Sequence, residues 1–221
     1  MPLEQARVVF VMVLALMLGI AGYVIHRVLR GQRRAENRAL ELSPDIVRSQ
    51  LPCADEHADD QPFLYGVLVD RHGRQRRTLV HDQTGLQIAV IHHRSGPHQP
   101  ARVIELGNAR YECRIHRGWL MDTMSLHAAG DTTVLLSYRS SGLRDSFYVD
   151  DPKTPRYTRK LTERSQDSWP IRSGQRVVAT LCNLRPSFGA DVAALCGHTE
   201  LPLIDRIFIL ECTGRQPSAS G

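Results

Sequence analysis

The sequence lacks the spacings by which most chemistries announce themselves. No Gly-x-Ser-x-Gly elbow, Ser-x-x-Lys, His-Glu-x-x-His, phosphate-binding glycine loop, dinucleotide fingerprint or EF-hand loop occurs in its 221 residues, which sets aside the enzyme and ion-binding classes that such motifs mark. It also has no Cys-x-x-Cys pair. The five cysteines, Cys53, Cys113, Cys182, Cys196 and Cys212, are odd in number and scattered, a poor framework for disulfides or for a structural zinc. Glycine and proline, 16 and 12, are too few for a fibrous or low-complexity chain. What is present, 42% apolar and 23% charged residues, is enough for one or two packed domains.

The longest apolar stretch is Val8 to Ile25, free of formal charge. As an α-helix it would cover about 27 Å, close to the roughly 30 Å hydrocarbon core of a bilayer, and with no polar face it offers nothing to water. A single transmembrane helix over residues 8–29 is therefore expected, after a short tail over 1–7. A cleaved secretory signal is the competitor, since Gly19-Ile20-Ala21 resembles a small-residue cleavage site. The flanks oppose it: the leading residues hold only Arg7 against Glu4, whereas Arg27, Arg30, Arg33, Arg34 and Arg38 follow the run, the reverse of a signal peptide. The reading is a single-pass signal-anchor. Its flanking charge places the soluble portion in the cytoplasm, the alternative being an extracytoplasmic domain.

The same five arginines account for most of the formal net charge of +5. They are read as a collar at the membrane surface, with the lipid bilayer as partner, and no nucleic acid is needed to explain them. A second basic stretch, Arg71, Arg74, Arg76 and Arg77, has no interleaved aromatic residue and reads as a solvated hairpin tip. Ala15-x-x-x-Gly19 with Gly22 is a small-residue face through which the span could form a homodimer.

Residues 30–61 read as an Arg-rich juxtamembrane helix and an acidic linker. Within them Ser43 is an N-cap before Pro44, opening a short helix to about Leu51. From 62 to 214 the pattern becomes short Val, Ile, Leu, Tyr and Thr runs broken every eight to twelve residues by turn formers, and 215–221 is a flexible tail. This predicts a mainly β domain, an antiparallel sandwich or a partly open barrel with one or two short helices. Strands are expected at Phe63–Val69, Arg77–His81, Leu86–His92, Arg102–Leu106, Arg110–His116, Leu120–His127, Thr132–Tyr138, Ser146–Val149, Gln175–Asn183 and Leu203–Cys212. Helices are expected near Tyr157–Gln166 and Ala190–Leu195.

Candidate ligand sets fail on geometry. Cys113 and His116, three apart in a strand, point to opposite faces. Cys196 and His198 lack two further zinc ligands, and His57 with Asp59 and Asp60 sits in a solvated linker. No catalytic, cofactor or metal residue is assigned, and no cofactor is expected. If the domain meets an oxidising compartment, Cys182 and Cys196 are the pair that would bridge, closing a loop worth on the order of 3 kcal/mol. The expected function is a membrane-anchored binding or assembly domain with a protein partner. The alternatives are a membrane-tethered enzyme with an unrecognised site, or an exported β protein.

Overall fold

The computed structural model describes residues 12–23, 26, 42–51, 62–71, 75–94, 102–117, 122–149, 151, 153–165, 167–184, 192–197 and 201–213. The alternating apolar runs form twelve strands: β1 Phe63–Arg71, β2 Gln75–Asp82, β3 Gln87–His93, β4 Arg102–Leu106, β5 Ala109–Arg117, β6 Asp122–Ala128, β7 Val134–Ser140, β8 Arg144–Tyr148, β9 Tyr157–Lys160, β10 Ser168–Ser173, β11 Arg176–Leu184 and β12 Val192–Gly197. Each pairs antiparallel with its neighbours in chain order, and β1 pairs with β12 from Phe63 opposite Cys196 to Val67 opposite Val192, closing a barrel. The expectation of a sandwich or partly open barrel is thereby corrected. Short antiparallel strands and local turns serve all three architectures equally. Closure depends on the first and last strands meeting, and it removes both sheet edges.

Tight connections occur where glycine permits them. Gly107 and Gly174, at φ 56° and 60°, sit in two-residue turns between the paired residues Leu106 and Ala109 and between Ser173 and Arg176, as hairpins joined by mirror-image turns require.

The lumen is not empty. Helix α3, Leu203–Thr213, threads it, entering where β9 begins and ending where β4 begins. Ile207, Phe208, Ile209 and Leu210 are consecutive and all buried, so the middle turn of the helix is apolar around its whole circumference, as suits an enclosed helix, and its buried charges, Asp205 and Glu211, stand toward its two ends. It meets the inward side chains Ile91, Ile104, Leu126, Leu136, Phe147 and Leu181. Leu203–Cys212 was expected as a strand, and the correction has a physical cause: a continuous apolar run fits either state, and a site surrounded on all sides selects the one that bonds its own backbone. Gly66 on β1 makes room for it, since a Cβ there would lie 3.2 Å from Leu210 Cδ2 and 3.1 Å from Thr78 Cγ2.

A second cluster lies outside the barrel at its closing seam. The short helix α2, Pro44–Ser49, covers the outer faces of β1, β11 and β12, burying Val47 with Phe63, Tyr65, Val67, Cys182, Ala194 and Cys196. Ser43 caps it as anticipated, accepting from the Ile46 N–H at 3.4 Å.

The transmembrane expectation is overturned. Residues 12–23 and 26 are helical, α1, and residues 8–11, 24, 25 and 27–29 of the expected span lie outside the described residues. No helix among the described residues is long and apolar enough to cross a membrane. The span over 8–29 was inferred by counting uncharged residues, and such a count measures how apolar a stretch is, not the length of helix it forms. Single-pass signal-anchor placement, and the cytoplasmic or extracytoplasmic assignment drawn from its flanks, fall with it.

Candidate functional site

The charged residues that sequence reading passed over collect around the last turns of α3, inside the barrel. Glu211 lies 2.7 Å from Arg102 Nη1 and 3.8 Å from His93 Nε2, and it accepts from Thr78 Oγ1 at 3.4 Å. Arg102 also donates to the Glu211 carbonyl at 3.2 Å, and Arg159 donates to the Thr213 carbonyl at 3.3 Å. Both guanidinium groups thus satisfy carbonyls that a helix C-terminus leaves without partners, at the negative end of its dipole. Arg159 is 1% exposed. It pairs with the buried Asp145 through Nε at 2.7 Å and through Nη2, and lies over the Trp169 ring. These groups lock the helix in place. The sequence signal was a lone charge inside an apolar run, Glu211 after Ile207-Phe208-Ile209-Leu210.

At the other end of α3 the Tyr157 hydroxyl donates to Asp205 Oδ2 at 3.0 Å. Burial raises the Asp205 carboxyl above its ordinary range, opposed by that hydrogen bond and by Arg156. A raised acid contributes stability that is fully present below its unfolded value, about 3.9, and lost as pH rises through the folded value. Asp205→Asn keeps an acceptor and does not titrate. The variant should therefore gain on the wild type as pH climbs from about 4 toward neutrality, read from urea unfolding at several pH values. A stability difference that stays flat across that window would remove the assignment.

The thiols in the lumen are unreactive by environment. Burial pushes the Cys113 thiol up to about 12, with the Glu211 carboxylate adding and Arg102 opposing, and burial likewise raises Cys212. Neither supplies a thiolate at neutral pH. Cys113 faces inward while His116 is exposed, as strand alternation requires. Cys182 and Cys196 share the outer face at the seam, where Cys182 is opposite Ala194 and Thr180 is opposite Cys196, so they are diagonal neighbours under α2. Among the described residues no group of three or more His, Cys, Asp or Glu is placed to hold a metal. Arg27, Arg30, Arg33, Arg34 and Arg38 lie outside the described residues.

The outer wall holds one hydroxyl and imidazole pair, Ser125 Oγ and His127 Nε2 at 2.8 Å. Among the described residues the buried Nδ1 of His127 has no hydrogen-bond partner, so none of them supplies the carboxylate that would orient a catalytic imidazole. Asp131, whose charge interacts with His127, accepts from Thr133 N and Oγ1 instead, at 2.9 and 3.0 Å.

Around that pair the strand register assembles a surface. One row of outward residues crosses six strands: His116, Thr123, Arg139, Ser146, Thr158 and Arg172. A parallel row runs Arg114, Ser125, Ser137 and Tyr148. Hydroxyls are interspersed with cations, and Arg144 opposite Lys160 extends the positive side. Comparison with protein-family models, with curated proteins and with solved structures finds no match to this chain.

Proposed function

We propose that the protein is a binding or assembly module that engages a protein partner through the outside of its barrel and performs no catalysis. The observation that carries this reading is α3 in the lumen. A closed barrel of this kind binds small molecules in its interior, and here four consecutive buried side chains of a helix occupy that space. The described cysteines in the lumen are held protonated and the Ser125 and His127 pair is not oriented for nucleophilic attack. The rigid scaffold then leaves its wall and connections to make contacts.

The test places a photo-crosslinking amino acid at Ser137 on the outer wall and, as a control, at Asn108 in the tight β4–β5 turn, in cells producing the full chain. Ser137 should yield one discrete protein adduct that Asn108 does not. Native mass spectrometry showing a small molecule retained by the purified protein, with no adduct at Ser137, would overturn the reading.

A further inference from the structure

Building on the outer wall as binding surface, we propose that the strip crossing β5 to β10 takes an extended, carboxylate-rich segment of a partner protein. The strip's cations are Arg114, Arg139, Arg144, Lys160 and Arg172, against Glu112 and Glu163 as its carboxylates among the described residues. Its flanks already hold carboxylates. Glu163 lies 3.2 Å from Lys160 Nζ and 3.1 Å from Arg172 Nε, and Glu112 lies 3.6 Å from Arg114. In the middle, Arg139 and Arg144 meet no carboxylate among the described residues. Arg139 rests on the Tyr148 ring, 4.9 Å from its centroid, so part of the entropy of ordering it is already spent.

Shape selects the partner. Neighbouring strands are about 4.8 Å apart, so Arg139 and Arg172, three strands apart, are separated by about 14 Å around the wall. An extended chain presents same-side residues about every 6.8 Å, which lets alternate acidic residues reach successive cations while the half-buried Thr158 hydroxyl between them meets its backbone. The row spans six strands of a closed twelve-strand barrel and so curves around nearly half of it. A flexible chain can follow that curve, whereas a flat bilayer touches it only along a tangent. Nucleic acid would need free aromatic faces for stacking, and the Tyr148 face is covered by Arg139. Leu143, 69% exposed in the β7–β8 connection beside Arg144, offers an apolar contact at one end.

The experiment measures fluorescence anisotropy of the full chain with a labelled peptide alternating Glu and Ser, and with its Gln-for-Glu twin. Only the acidic peptide should bind, more weakly as salt is raised. Arg139→Glu with Arg144→Glu should weaken it by about tenfold or more without lowering the melting temperature, while Arg110→Glu, at the opposite end of the barrel, should leave it unchanged. Absence of acidic-peptide binding, with the Ser137 protein adduct still forming, would overturn this inference and leave the module reading standing. Binding of a uridine oligomer or of phosphatidylserine vesicles in place of the peptide would also overturn it. Loss of both peptide binding and the Ser137 adduct would overturn both.

Discussion

Phe208→Ala is expected to cost about 3–5 kcal/mol of folding stability, the range for truncating a fully buried aromatic side chain. Phe208 is 0% exposed and meets Phe147 edge to face, with centroids 6.3 Å apart and planes at 79°; Phe147 in turn packs on Tyr138 at 5.2 Å. The cost should sit at the upper part of the range because the cavity would be enclosed by a closed barrel whose wall strands are bonded on both sides and cannot collapse inward. Urea unfolding should show a lower midpoint with an unchanged slope. A loss below about 0.5 kcal/mol, the scale of an ordinary surface change, would mean that α3 is not seated as described.

Arg159→Met should be comparably damaging for a different reason. Removing the guanidinium leaves Asp145, 0% exposed, as an uncompensated charge in the lumen, and breaking a buried pair in this way costs about 3–5 kcal/mol. The Tyr138 hydroxyl, which donates to Asp145 Oδ1 at 2.9 Å, cannot replace the lost charge. The Thr213 carbonyl at the end of α3 loses its donor as well. The distinguishing result is the double variant Arg159→Met with Asp145→Leu. It should recover much of the loss, because exchanging a whole buried pair for apolar groups is often neutral. Strictly additive losses from the two single variants would show that the pair is not the coupled unit assigned here.

Much of the wall was legible from residue alternation, and its failures are instructive. β1, Phe63–Arg71, and β4, Arg102–Leu106, fall where period-two patterning put them. The helix expected at Ala190–Leu195 is replaced by strand β12, Val192–Gly197: the helix preference of Ala and Leu is weak, and pairing with both β1 and β11 overrides it. The segment read as a helix near Tyr157–Gln166 begins instead with strand β9, Tyr157–Lys160. β10, Ser168–Ser173, was not among the expected strands, and its Pro170 is a residue that weakens a strand signal. Pro170 is tolerated because β10 pairs with β9 only at Ile171 and Arg172.

The candidate surface was harder to see than the strands. Arg114, Arg139 and Arg172 are far apart in the chain and look like ordinary solvated charges. Only the register of successive strands brings them to adjoining rows on one outer face.

What the residues determined by themselves is local: a chain dominated by short antiparallel strands, the Ser43 cap, and glycine-dependent turns at Gly107 and Gly174. Each depends on contacts between residues a few positions apart, where backbone sterics and side-chain alternation suffice. The tertiary structure alone decided that β1 meets β12, that Leu203–Thr213 coils as a helix inside the barrel, and that scattered cations share one wall. Those outcomes turn on which distant surfaces bury one another, and the same apolar run can be strand or helix until its surroundings are in place.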